Sequence, residues 1–346
     1  MRMKSRKKRK VSQQISVAAV LLLLAALVCG IIFAQRSVQT ELIEEAGTSV
    51  HADHSNEYLL HEGTKYPVKD NLSTLLLIGI DSFEEDEDRI VEGENRNRDL
   101  ADFLVVLVLD HNKKTVTPLQ LNRDTICEVP WLDERGHVGG YRAEHLTFAH
   151  TYGSGKEDSC VNTVRAVRSL LNDAPIRDYM AFSMDAVPII NDLVGGVTLT
   201  LTEDLTALNK NYVKGAEITL KGKNALRFVR YREKIGGSNL YRMKRHRLYL
   251  NGFLEASRAA MQDNQDLALD IFKKVNPYLC TDLSAEKVST LVEQLGEYEV
   301  LEILTPSGDA RPGEKFYEFY VHPDSLWSCI QKAFCVQSED SSRTPE

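Results

Sequence analysis

The sequence predicts a mixed α/β (α+β) domain, a central β-sheet flanked by helices, preceded by one N-terminal transmembrane helix. Three observations carry this expectation. Short apolar runs of strand length recur at 74–80, 103–109 and 115–121. Segments of helical period, such as 161–171 and 184–193, alternate with further strands without a fixed repeat. An uncharged, mostly apolar run near the N-terminus is long enough to span a bilayer at about 1.5 Å per residue.

Taken in order, residues 1–14 form a short basic tail, with Arg2, Lys4, Arg6, Lys7, Lys8, Arg9 and Lys10 and no acid in the first ten. Residues 15–35 form the transmembrane helix, and the basic flank orients it with the tail inside and the remainder outside the cell. A cleaved signal peptide is the competing reading; the length of the run and the lack of a good cleavage site favour an uncleaved anchor. Residues 36–70 are a polar stalk, 71–260 the main domain, 261–336 an extension packed on it, and 337–346 a disordered tail.

Within the main domain an acidic loop, 83–97, separates the first two strands, and 110–114 turns into the third, where Pro118 marks an edge or a bulge. Gly195 and Gly196 end the helix 184–193, and 197–202 is another strand. A helical turn at 222–226 feeds a strand carrying Arg230 and Arg232, and Asn239 starts a long helix reaching about Met261. Helices at 267–275, 285–295 and 325–334 and strands at 300–304 and 316–321 complete the chain.

The net charge is −8, and more negative without the basic tail, which argues against nucleic acid as a partner. Cys29 lies in the membrane run. Cys127, Cys160, Cys280, Cys329 and Cys335 are odd in number and lack CxxC spacing, so they outline neither a disulfide framework nor a zinc site. One or two bridges remain open, with no pairing preferred.

Against this acidic background, 221–247 holds ten Lys and Arg residues and one acid, Glu233. Phe228, Val229, Tyr231, Leu240, Met243 and Leu248 are interleaved with the cations, so the segment belongs to a folded core. Arg230 and Arg232, two apart, share one face of a strand; Arg242, Arg245 and His246, at i, i+3 and i+4, share one face of a helix. Rows of planar guanidinium forks suit a diphosphate, and a surface patch paired with acids is the plainer alternative. Asp81 ends one apolar strand, Asp102 begins the next and Asp124 follows the third, with Arg98 and Arg123 beside them. Ion pairing at a sheet edge explains such acids; so does a divalent metal held by one or two carboxylates with phosphate oxygens as further ligands.

The order GID (79–81), RDLAD (98–102), NRD (122–124), DLVGGV (192–197), RFVRYR (227–232) and LYRMKRHR (240–247) resembles the LytR–CpsA–Psr family, over roughly residues 72–255. The resemblance implies a membrane-anchored extracytoplasmic phosphotransferase. It would move a glycopolymer from a polyprenyl (undecaprenyl) diphosphate carrier to a peptidoglycan hydroxyl and release the polyprenyl phosphate. It implies that Asp81 and Asp102 associate with Mg²⁺ (or Mn²⁺), that Arg98, Arg123, Arg230, Arg232 and Arg242 bind the diphosphate, and that Asp124 has a supporting role. The chain departs from the family pattern in three places: Asn122 stands for the usual Pro, Arg98 lies four rather than two residues before Asp102, and His246 stands for Gln. A non-catalytic lipid-diphosphate-binding module and a polyprenyl-diphosphate phosphatase are the alternatives. No GxSxG, Walker or HExxH motif supports another enzyme class.

Overall fold

The computed structural model describes residues 57–82, 95–231, 239–264, 267–284, 287, 290, 291, 294 and 297–336. The expected transmembrane helix, most of the stalk, loop residues 83–94, Arg232 and the C-terminal tail lie outside these residues. Among the described residues no helix is long and apolar enough to cross a membrane.

In chain order the elements are β1 (Tyr58–His61), β2 (Thr64–Pro67), β3 (Leu72–Ser82), β4 (Asp99–Asp110), β5 (Thr115–Leu121), β6 (Ile126–Leu132), β7 (Val138–His145), a 3₁₀ turn (Leu146–Thr151), helix Glu157–Leu170 and β8 (Asp178–Ser183). Helix Ala186–Leu193, β9 (Val197–Thr200), β10 (Glu217–Leu220) and helices Lys223–Arg230, Asn239–Asp263 and Leu267–Val275 follow. β11 (Leu279–Thr281), β12 (Glu299–Val300), β13 (Gly308–Pro312), β14 (Tyr317–Val321) and helix Pro323–Phe334 complete the order. The described residues divide into two compact units, one of 57–182, 280–282 and 303–336, the other of 183–279 and 283–302.

The central sheet of the first unit runs β11-β8-β3-β4-β5, with β3, β4 and β5 antiparallel. β4 is apolar along nearly its whole length because both its faces are covered; a strand facing water on one side would alternate. On one face Leu76, Ile78, Leu104 and Val106 share a core with Val164 and Val167 of helix Glu157–Leu170 and with Ile330 and Phe334 of the last helix. The C-terminal stretch is thus part of this core. Its strand β14 docks through Phe319, which is buried and whose N–H donates to Asp124 O at 2.8 Å.

Pro118 behaves as its chemistry requires. Leu304 N–H donates to Pro118 O and Gln120 N–H donates to Leu304 O, so Leu304 bonds β5 on the side where Pro118 lacks a donor without needing an N–H from Pro118. Three expectations are corrected. The segment 222–230 is one helix, Lys223–Arg230, and Arg230 is its last residue, not part of a strand. Phe228 and Val229 favour strands locally, but with Ala225 they form an i, i+3, i+4 set, all buried, and that burial decides the period. Strand 300–304 shrinks to β12 and an isolated bridge at Leu304. Asp102 lies inside β4, not at its start.

In the second unit, helix Asn239–Asp263 lies against β9 at Gly252. A Cβ there would stand 2.5 Å from Thr198 O and 2.9 Å from Val197 Cγ1. In an exposed helix Gly→Ala gains stability. Here Gly252→Ala is expected to cost about 1–3 kcal/mol through overpacking against strand backbone, read as a lower urea midpoint with an unchanged m-value.

Candidate active site

Antiparallel pairing brings the C-terminal end of β3, the N-terminal end of β4 and the C-terminal end of β5 to one end of the sheet. Asp81 pairs with Leu100, and Leu104 with Leu121. Between these pairs the register slips: Gly79 faces Phe103, Ile80 faces Ala101, and Asp102 has no Cα partner in β3. This is a β-bulge, two residues opposite one. It explains why Ala101 and Leu104, three apart, both enter the same core cluster. The offset at Asp102 and Phe103 turns the carboxylate away from that core.

Asp102 is 5% exposed, and its Oδ1 accepts from Arg123 Nη1. Arg123, also buried, uses Nε to donate to Asp124 Oδ1 at 3.0 Å. One guanidinium is therefore held by two carboxylates from different segments. The backbone around it is pinned as well: Thr147 N–H donates to Arg123 O, Asp124 N–H to Asn122 Oδ1 and Thr125 Oγ to Asn122 O. Asn122 thus builds the turn by side-chain bonding where Pro would do so by fixing φ. Asp81 is half-buried at the same sheet end.

Arg98 is exposed and precedes β4; the residue two before Asp102 is the buried Leu100. Its neighbours, which the sequence reading passed over, are the more engaged. Arg96 donates through Nη2 to the Tyr152 hydroxyl, stands 4.2 Å from that ring's centroid and lies 3.8 Å from Glu144. Burial, then Glu144, pushes the Tyr152 phenol up to about 12. Asn97 Nδ2 donates to His150 O and Gly153 O, and Asn97 Oδ1 accepts from Asp99 N–H. The alternation of Asn and Arg in NRNR was the available signal, and it gave no way to choose among the four.

In the second unit the basic segment forms its own cluster. Asp192 Oδ1 accepts from Gly222 N–H at 2.6 Å, and Asn191 Nδ2 donates to Leu220 O. The DLVGGV motif thereby fixes the turn that starts helix Lys223–Arg230. Arg230, at the other end, pairs with Asp185 at 3.1 Å. Arg242, Arg245 and His246 do share one helix face and are all buried. Arg242 Nε donates to Asn239 Oδ1 at 2.8 Å. Arg245 gives Nη1 to Glu203 at 2.9 Å and Nη2 to Tyr231 O at 2.5 Å, and His246 Nε2 donates to Val229 O at 3.0 Å. Two cationic-type side chains thus satisfy carbonyls where helix Lys223–Arg230 ends, the favourable place for them.

Chemically, the first cluster offers fixed guanidinium and carboxylate groups. Among the described residues no set of three His, Cys, Asp or Glu side chains converges on a metal position. A donor set of two carboxylates, Asp81 and Asp102, fits Mg²⁺ or Mn²⁺ completed by phosphate and water oxygens.

Known proteins share this architecture. The chain is 25% identical over 278 residues to the polyisoprenyl-teichoic acid–peptidoglycan teichoic acid transferase TagU of Oceanobacillus iheyensis, covering 80% of this chain and 79% of that one. It is 26% identical over 254 residues to the protein of the same name from Bacillus mycoides, covering 73% and 74%. Its fold matches the crystal structure of B. subtilis TagT with a TM-score of 0.52 at 21% identity, covering 80% of this chain and 96% of that one. The LytR_cpsA_psr family model matches residues 34–325, and the chain belongs to that family.

Proposed function

We propose that this protein is a membrane-anchored extracytoplasmic phosphotransferase that moves a glycopolymer from a polyprenyl-diphosphate carrier to a peptidoglycan hydroxyl. The observation that carries the reading is Arg123, buried and clamped between Asp102 and Asp124 at the sheet end that also holds Asp81. Family membership and the names of the curated relatives support it. The uncharged run at 15–35 supplies the anchor, with the basic tail on the cytoplasmic side.

In the reaction the acceptor hydroxyl gives up its proton and its oxygen bonds to the sugar-side phosphorus, the bridging P–O bond breaks, and polyprenyl phosphate leaves with the electron pair. Charge grows on the phosphoryl oxygens in that step. Arg123 presents donors already fixed by its carboxylate partners, so little reorganisation accompanies the charge build-up. Arg230, Arg232 and Arg242 bind the diphosphate in this reading. Asp81 and Asp102 would hold Mg²⁺ or Mn²⁺, which would supply Lewis-acid polarisation of phosphoryl oxygens.

The test uses the full chain in detergent with a lipid-diphosphate-linked oligosaccharide, Mg²⁺ and a peptidoglycan fragment. Polyprenyl phosphate release and a phosphodiester-linked glycan product are both followed. Transfer is expected to stop on chelation and to fall about 10²–10³-fold in Asp102→Ala and Arg230→Ala. Phosphate release without the linked product would make the protein a phosphatase. Lipid binding without turnover, kept by Asp102→Ala and lost by Arg230→Ala, would make it a binding module.

A further inference from the structure

Cys160, on helix Glu157–Leu170, is fully buried, and Cys280, on β11, is half-buried. Both belong to the first unit: Cys280 packs against the buried cluster that contains Cys160, and each thiol shifts the ionisation of the other. His150 extends the cluster: Nδ1 lies 3.1 Å from Asp99 O and Nε2 lies 3.7 Å from Cys160 Sγ. A carbonyl oxygen only accepts, so Nδ1 carries the ring proton and Nε2 turns its lone pair to the thiol. We propose that Cys160 and Cys280 form a disulfide by exchange with an external disulfide, with His150 taking the Cys160 proton.

The two sulfurs have distinct roles. The hydrogen bond from Cys160, with that from Tyr179, holds the Cys280 thiol below its ordinary value against burial. The same bond and burial push Cys160 up. Burial keeps the His150 imidazole neutral against the pull of Asp99 and Asp158. Cys280 is half-buried and Cys160 fully buried, so an external disulfide meets Cys280 first and the Cys280 thiolate attacks it. The external S–S bond breaks, one thiolate leaves, and Cys280 is held in a mixed disulfide. Cys160 Sγ then attacks Cys280 Sγ while its proton passes through Nε2 to the departing external sulfur, which leaves as a thiol, and His150 is neutral again. Two protein thiols become one disulfide, and the external disulfide is reduced to two thiols.

The fold gives the bond a use. β11 is three residues long, and the chain on either side of 280–282 belongs to the second unit. It is held to β8 by Tyr179 N–H donating to Asp282 Oδ1 at 2.8 Å and by Thr281 Oγ donating to Tyr179 O at 2.6 Å. Such a short edge strand opens easily. A covalent link to the core helix fixes it, and the bond closes a loop of about 120 residues, long enough for a large effect on the unfolded chain.

Persistence of the bond rests on the extracytoplasmic placement proposed above. Its formation is tested without any transfer assay, so the two readings fail separately. The reduced full chain is exposed to oxidised glutathione, alkylated, digested and analysed by mass spectrometry. The expected result is a Cys160–Cys280 cross-linked peptide, with a melting temperature raised by about 5–10 °C. Cys160→Ser is expected to trap glutathione on Cys280, whereas Cys280→Ser leaves Cys160 at least about tenfold slower to react. Alkylation of both wild-type thiols after oxidation, or cross-linking to a different cysteine, would overturn the proposal.

Discussion

Arg123→Ala is expected to abolish detectable transfer and to unfold the protein about 3–5 kcal/mol more easily than wild type. Both effects follow from one geometry. Asp102 and Asp124 are buried around a single guanidinium, and its loss leaves two carboxylates without their cation. Arg123→Lys separates charge from shape. An ammonium restores the positive charge but cannot direct Nε and Nη1 donors at two carboxylates in the fixed angle of a fork. We expect Lys to recover most of the stability in thermal and urea denaturation while kcat/KM stays at least about 10²-fold low. If Lys restored activity as well, charge alone would suffice and the positioning argument would fail.

Arg245→Met is expected to weaken lipid-diphosphate affinity about tenfold and to cost about 2–4 kcal/mol of stability. This side chain is 2% exposed and bonded to Glu203 and Tyr231 O, so it acts by holding the helix end that carries Arg230. His246 works the same way through Val229 O. A Gln amide can donate to that carbonyl, so His246→Gln should retain affinity, whereas His246→Leu should lose several-fold. Isothermal titration of Arg245→Met, Arg230→Ala and the double variant gives the decisive comparison. If Arg245 positions Arg230, its loss matters little once Arg230 is gone, and the two effects fall well short of additive. Full additivity would make Arg245 an independent phosphate contact.

Much of the frame was legible because burial and period coincide. Strand 115–121 and helix 267–275 appear with the bounds that apolar spacing gives. The hairpin β6–β7 was not legible: Pro130 and the pair Gly139–Gly140 carry poor strand propensity, and pairing with each other supplies what local preference lacks. The bulge at Asp102 was equally hidden, since one extra residue in an apolar run leaves no mark on composition. For the site, residue types and order placed the acids and arginines. They could not distinguish a guanidinium aimed at a ligand from one spent on a carbonyl, as with Arg245. That difference is set by tertiary partners such as Glu203 and Tyr231, distant in sequence.

The docking of helix Pro323–Phe334 into the core of β3 and β4 bears on when the protein becomes whole. Ile330 and Phe334 complete a cluster that Leu76 and Leu104 begin more than two hundred residues earlier. Lys69 Nζ likewise donates to Ala333 O at 2.8 Å. Contacts so far apart in sequence form late, because loop closure must be met before they reward it. During synthesis the first strands must wait, with an apolar face uncovered, until the last helix emerges. The chain is therefore most exposed to proteases and aggregation before its final segment arrives, and a truncation before residue 323 would leave it permanently in that condition.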